Sequence, residues 1–382
     1  MQIRQQLFKD GVVQAEGLHS LVEIAPNLVL VFGSATALAQ SGLHAVLRTA
    51  FPTAHLAGCS TAGEIAGERV YEGACVVTAV RFERCGLRTA SARINAMEDS
   101  QRMGEHLGQA LDAEDLRGVL LFCKGLAVNG SAVIQGITGA VRSGVAITGG
   151  LAGDGGAFQQ TWVLDDQGVS DVGLVGIGFY GPAVRIGYGS YGGWEPFGPA
   201  RRVTRSMGNV LYELDDEPAL NVYKRYLGDY AKDLPASGLL FPFEMLGEDH
   251  NRLGLIRTIL GIDEEAGSLI LAGDIDPQGF LRLMHASTDA LVSGAEEAAE
   301  TTQNMVAECG AGLAVLVSCV GRKLVMGDHV DEEVEGVANV LAAGTMVTGF
   351  YSYGEISPFS SSTDCKLHNQ TMTITYLAEE VE

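Results

Sequence analysis

Three short segments of this chain place a carboxylate directly after a glycine. They are Gly58-Cys59-Ser60-Thr61-Ala62-Gly63-Glu64, Gly149-Gly150-Leu151-Ala152-Gly153-Asp154 and Gly349-Phe350-Tyr351-Ser352-Tyr353-Gly354-Glu355. Such turns suit a small ligand. Glycine lets a bound group approach the backbone, and Glu64, Asp154 and Glu355 can receive a cationic group. The same pattern also serves structure alone: glycine adopts positive φ and the carboxylate caps neighbouring N–H groups. Recurrence of the turn assigns at least some copies to that structural role. Cys59, Ser60 and Thr61 offer nucleophiles, so a hydrolase or transferase acting through the first turn is one alternative. The segment is not a G-x-S-x-G elbow, and no paired base is evident.

Other side chains join these candidates. Arg322, at the carboxyl end of a strand, can pair with an anionic ligand or with Glu355. Tyr351 and Tyr353 flank Ser352 on an extended stretch and share one face. His368-Asn369 precedes the last strand, where His368 can contact a ligand, ligate a haem iron or simply be satisfied in the core. His106 and His285 are further axial candidates, and no two histidines stand at metal-ligand spacing. Two G-x-G-x-x-G matches, beginning at Gly176 and Gly187, open no helix and are not dinucleotide fingerprints.

The turns close a repeated unit. The strand Leu28–Phe32 is followed by a helical stripe of Leu43, Val46 and Ala50, then a short strand with Leu56 and Gly58. An offset of 91 reaches Ile134, Ile137, Val141, Ile147 and Gly149, and aligns the first strand with Val119–Cys123. A further 200 reaches Val334, Val337, Leu341, Val347 and Gly349, while the first strand, ending at Cys319, lies 196 on. Apolar residues at i, i+3 and i+7 share one helical face, so each unit predicts a right-handed βαβ crossover with parallel strands. One more strand follows each turn: Ala74–Val80, Val172–Phe179 and Thr371–Tyr376.

Between the second and third copies, Gly187–Pro199 is rich in glycine and aromatics and reads as loop and domain junction. Beyond it, 218–230 and 294–309 predict helices, and 269–271 and 280–284 predict strands. The expected fold is α/β: two tandem domains, 1–200 and 201–382, with mixed sheets built from the βαβ-turn-β unit.

The three turns, with Leu367-His368-Asn369-Gln370-Thr371, Cys319-Val320-Gly321-Arg322 and Asn209–Asp215, resemble the FIST domain family. The resemblance runs from about residue 25 to the end and implies a FIST N-type region before a FIST C-type region. It also implies a sensory domain that binds a small ligand and passes the signal to a partner such as a histidine kinase. Some free-standing members are haem-based nitric-oxide sensors, so the resemblance makes haem a possible cofactor. It leaves open which turn forms the pocket.

Bulk properties bound the remaining classes. Hydrophobic residues make up 47% of the 382, enough for a large core. The net charge, 25 − 47 = −22, repels phosphate backbones and anionic lipid, which argues against nucleic-acid partners. No apolar leader or membrane-length run is visible, so no membrane insertion is expected. Seven scattered cysteines without a CxxC pair read as reduced thiols of a cytoplasmic protein. The expectation is a cytoplasmic ligand-binding sensor and not an enzyme.

Overall fold

The protein is described by a computed structural model covering residues 1–358 and 365–380. The repeated unit begins one strand earlier than the sequence pattern shows. Unit one contains β1 (Gln2–Phe8), β2 (Leu28–Gly33), helix α1 (Leu43–Ala50), β3 (His55–Ser60), the hairpin β4 (Glu64–Ala66) and β5 (Arg69–Tyr71), and β6 (Cys75–Arg81). Unit two contains β7 (Gly86–Arg93), α2 (Ser100–Leu111), β8 (Leu116–Cys123), α3 (Gly130–Ala140), β9 (Ala146–Leu151), the hairpin β10 (Val163–Asp165) and β11 (Gly168–Ser170), and β12 (Gly173–Tyr180). Unit three contains β13 (Val184–Tyr191), α4 (Thr288–Met305), β14 (Leu313–Cys319), α5 (Val320–Met326), α6 (Val330–Val340), β15 (Met346–Ser352), the hairpin β16 (Gly354–Pro358) and β17 (Cys365–His368), and β18 (Met372–Glu379).

Each unit forms a sheet that is completed by another unit's hairpin. The sheet orders are β1-β6-β2-β3-β10-β11, β7-β12-β8-β9-β16-β17 and β13-β18-β14-β15-β4-β5. The pairs β2/β3, β8/β9 and β14/β15 are parallel, as the crossover pattern predicts, and the other neighbours are antiparallel. Hairpins therefore pass in a cycle: unit one to the third sheet, unit two to the first, unit three to the second.

Alternation along the strands explains the layering. Leu28, Leu30 and Phe32 join Leu120, Phe122, Leu313, Val315 and Val317 in one core shared by all three sheets. Val29 and Val31 point the other way, onto Leu43 and Leu47 of α1. With both faces covered, these strands read as continuous apolar runs. At the centre the rings of Phe32, Phe122 and Phe350 lie 4.9–6.0 Å apart between centroids.

The structural register corrects one alignment. Phe32 pairs with Cys59, Phe122 with Gly150 and Val317 with Phe350. The second strands keep offsets of 91 and 200. The first strands are offset by 122 − 32 = 90 and 317 − 122 = 195, not 91 and 196. A one-residue slip exchanges the two faces of a strand, so the distinction decides which side chains reach the shared core.

Residues 192–287 form a lobe inserted between β13 and α4. Its nine-stranded sheet has a core that includes Val203, Leu211, Leu220, Tyr223, Phe243 and Leu281. The predicted helices and strands in this half are found at Ala219–Leu227, Thr288–Met305, Ser268–Leu271 and Phe280–His285. The predicted loop from Gly187 is instead strand as far as Tyr191. A Cβ at Gly189 would lie 2.1 Å from the Ala298 carbonyl oxygen, so these glycines admit α4 against the sheet.

Candidate functional site

The three turns meet where the three sheets meet, and each is bonded to the other two. Ser60 Oγ donates to the Gly153 carbonyl (2.7 Å), and Gly153 N donates to the Ser60 carbonyl (2.9 Å). Ala62 N donates to the Tyr351 carbonyl and Tyr351 N to the Gly63 carbonyl, both 2.8 Å. Tyr353 N donates to the Leu151 carbonyl (3.3 Å), and the Tyr353 hydroxyl donates to Asp154.

Turns one and three are copies down to the hydrogen bond. Thr61 Oγ1 donates to Glu64 Oε1, and Ser352 Oγ donates to Glu355 Oε1 (2.6 Å). Each hydroxyl in turn accepts the following glycine N–H at 3.3 Å, from Gly63 and Gly354. The second carboxylate oxygens accept from Ala74 N (2.9 Å) and from Thr371 N and Oγ1 (3.2 and 3.1 Å). Both glutamates are buried, at 1% and 0% exposure. Burial lifts Glu64 to about 7 and Glu355 to about 8, against the opposing pull of these hydrogen bonds.

Turn two differs. Asp154 is half-buried and accepts from the N–H groups of Phe158 (2.8 Å), Gln159 (2.7 Å) and Gln160 (2.9 Å). Burial alone would raise its pKa. The Tyr353 hydroxyl and the three N–H groups outweigh burial and hold the carboxyl below its usual value. The chain from Gly155 to Phe158 curls around this carboxylate, and the Phe158 ring stacks on Tyr353 at 4.3 Å.

Arg322 is fully buried. Its guanidinium bonds to Glu333 (2.5 Å) and to the Leu291 and Gly192 carbonyls, so its hydrogen-bonding partner is Glu333 and not the expected Glu355. Tyr351, in β15, also donates to Glu333 (2.8 Å), whereas Tyr353 lies in the bend between β15 and β16, so the expected shared strand face is not formed. Cys59 is fully buried and burial pushes its thiol well up, the opposite of an activated nucleophile. Ser60 Oγ is taken up between Gly153 O and Trp162 N (2.8 Å).

Asn369 is buried two residues before Thr371, with its Oδ1 unpartnered. His368 is buried, with Nε2 3.0 Å from the Ser357 carbonyl, and burial lowers it to about 4. It borders a cavity of about 250 Å³ with Ser190, Trp194, Glu244 and Arg252. An axial histidine needs a free ring nitrogen facing an apolar slot. The space beside His368 is below the range of about 300–1,000 Å³ usual for ligand pockets, and Glu244 and Arg252 in its lining make it no apolar slot. His368 and its surroundings do not fit a haem iron.

Two cavities flank Gly155. The smaller, about 250 Å³, is bordered by Ser34, Thr61, Glu64, Asp154 and Lys323. Lys323 Nζ donates to the Ala62 carbonyl (2.8 Å) and to Glu72 (2.5 Å). The larger, about 640 Å³, is bordered by Gly156 and Phe158 of turn two, by Tyr230, Leu240 and Leu260 of the lobe, and by Leu324 of α5. Lys323 and Phe158 were not among the sequence candidates. Lys323 directly follows the Cys319–Arg322 segment and was within reach of it. Nothing in the sequence marks Phe158.

Residues 27–217 match the FIST N domain and residues 219–358 the FIST C domain. The chain belongs to the FIST family of sensory signal-transduction domains. No curated protein matches it. Among solved structures it is similar to a cyanuric acid hydrolase from A. caulinodans, with TM-score 0.37, 9% identity and coverage of 100% of this chain and 99% of that one. A second cyanuric acid hydrolase structure gives TM-score 0.36, 9% identity and 99% coverage of both chains. At these TM-scores the likeness carries no argument about this chain.

Proposed function

We propose that this protein is a cytoplasmic small-molecule sensor whose ligand occupies the larger cavity beside the Asp154 turn. One observation carries the reading: that cavity is walled jointly by turn two, by α5 of unit three and by the inserted lobe. A ligand there touches three parts of the chain at once, so its binding energy differs between arrangements of lobe and core, the requirement for a signal. The lining is mainly aliphatic and aromatic, with the Tyr230 hydroxyl, Ser237 and Asp233 at its polar points. This suits a ligand with an apolar body and a polar head. The glycine turns supply the wall at Gly155 and Gly156, while Glu64 and Glu355 brace the junction behind it. A partner such as a histidine kinase reads the change, as the family membership suggests.

A thermal-shift screen of a metabolite library tests this. A ligand at 100 times its Kd stabilises the folded state by about 2.7 kcal/mol. Replacing Leu324 with Trp narrows the cavity and is expected to weaken the shift while leaving the unliganded melting temperature nearly unchanged. A shift of the same size in Leu324→Trp and in Gly156→Trp would place the ligand elsewhere. Turnover of the compound would replace the sensor reading with an enzymatic one.

A further inference from the structure

The three units differ at one place on their outer surface. In units two and three a long helix precedes the first parallel strand and lies along the crossover helix. These outer helices are α2, 12 residues, on α3, and α4, 18 residues, on α6. The contact is close: a Cβ at Gly136 would lie 2.1 Å from the Gln101 carbonyl oxygen, and one at Gly336 3.2 Å from Glu296. In unit one the same stretch is only two short helical turns, Ala15–Leu18 and His19–Val22.

The offsets of 91 and 200 equate Ala45 and Val46 with Gly136 and Ile137, and with Gly336 and Val337. Gly136, Ile137, Gly336 and Val337 are buried, but Ala45 is exposed and Val46 only half-buried. With Ala15, Val22 and Ala50 they border a groove of about 500 Å³, and Val22 is 40% exposed. Leu18 and Leu21 of the short turns pack on Leu43 and Leu47, so the seat that α2 fills on α3 is only partly filled on α1, and the groove is the remaining gap.

We propose that this groove docks one amphipathic helix of a partner protein, about three turns long, with basic residues on its outward face. The internal repeat specifies the occupant's shape: the equivalent face is covered by a helix twice in the same chain. Ala45, at the position of Gly136, keeps the crossing point small enough for close approach. Charge specifies its sign. Glu16 stands exposed beside the groove-lining Ala15, and the chain carries −22 overall. The neighbouring arginines are engaged, Arg4 with Glu23 (2.5 Å) and Arg48 with Asp166 (2.8 Å), and His19 borders the groove itself. A second copy of so acidic a chain is repelled, whereas a basic helix is drawn in. This surface is separate from the ligand cavity and stands without that reading.

The test uses the full chain and a fluorescent, stapled helical peptide of the Ser100–Leu111 sequence carrying Glu105→Lys and Gln109→Lys. Both changes fall on exposed positions of α2. Saturable binding is expected, with amide exchange slowed at residues 42–50. Ala45→Trp and Val46→Lys are each expected to weaken binding about ten-fold or more. A peptide with Arg102→Glu and His106→Glu instead is expected to bind at least about ten-fold more weakly than the basic one. The proposal is overturned if neither peptide saturates, or if Ala45→Trp binds unchanged. It is equally overturned if the free chain is a dimer that Ala45→Trp dissociates, which would give the groove to a second copy.

Discussion

Arg322 and Glu333 face each other at 2.5 Å with neither side chain reaching solvent. Glu333 also accepts the hydroxyls of Ser318 (2.7 Å) and Tyr351 (2.8 Å), so one carboxylate ties α6 to both parallel strands of unit three. The guanidinium reaches the Leu291 carbonyl of α4 at 2.8 Å. Removing one partner strands the other charge in the core. Glu333→Ala is therefore expected to lose about 3–5 kcal/mol in urea unfolding. The double change Arg322→Met with Glu333→Leu is expected to lose less than Glu333→Ala alone. Equal losses would assign the effect to packing and not to charge.

Glu64 and Glu355 give the fold a pH dependence of definite sign. Their folded values of about 7 and about 8 lie above the roughly 4.3 of a free glutamate. The folded chain thus keeps protons that the unfolded chain releases. Their contribution is whole below about pH 4 and is lost as pH rises through about 7 to 8. Glu355→Gln is expected to flatten the fall of melting temperature between about pH 4 and 8. An unchanged profile would show that Glu355 is ionised throughout. His368 acts at the other end: held near 4, it contributes above about pH 6.5 and loses that contribution as acid protonates it.

Gly58, Gly149 and Gly349 occupy one position in the three units. A Cβ there would lie 1.8, 2.0 and 1.9 Å from the carbonyl oxygens of Val31, Leu121 and Leu316. These are main-chain atoms of the paired parallel strand and cannot move aside without breaking the ladder. Gly149 and Gly349 also have φ of 131° and 152°, a region that side chains rarely enter. Gly149→Ala is expected to yield insoluble chain or a loss above about 3 kcal/mol. Soluble Gly149→Ala with wild-type stability would contradict the strand spacing.

Thiol chemistry offers a direct check on burial. Six of the seven cysteines are buried and only Cys309 is partly exposed. Native protein treated with a maleimide is expected to take up one label per chain at Cys309, and seven after unfolding in guanidinium. Rapid native labelling at Cys59 would revive a nucleophilic role for the first turn.

Much of this was legible in the chain itself. The period of Leu43, Val46 and Ala50 and the recurring Gly58, Gly149 and Gly349 sufficed for the crossovers, because helix faces and close strand contacts leave local marks. Exchange of the hairpins left none. Glu64 pairs with Phe350, 286 residues away by subtraction, and no local pattern encodes that choice of sheet. The glycines at 187 and 189 misled for a physical reason: the space they leave belongs to a helix that arrives about 110 residues later, at Ala298. The repeated turns were found, but the partner of Arg322 was not, since Glu333 reads in sequence as one acidic residue among several at the start of a helix.

Passing the hairpins in a cycle has a mechanical consequence. Each sheet holds a latch from another unit, so the three units form a closed three-link chain in which none can be lifted out intact. Partial melting of one third would tear strands from another, which favours one concerted unfolding transition for the three-sheet body. The inserted lobe contributes no strand to the cycle. It is the part that can shift without opening a link.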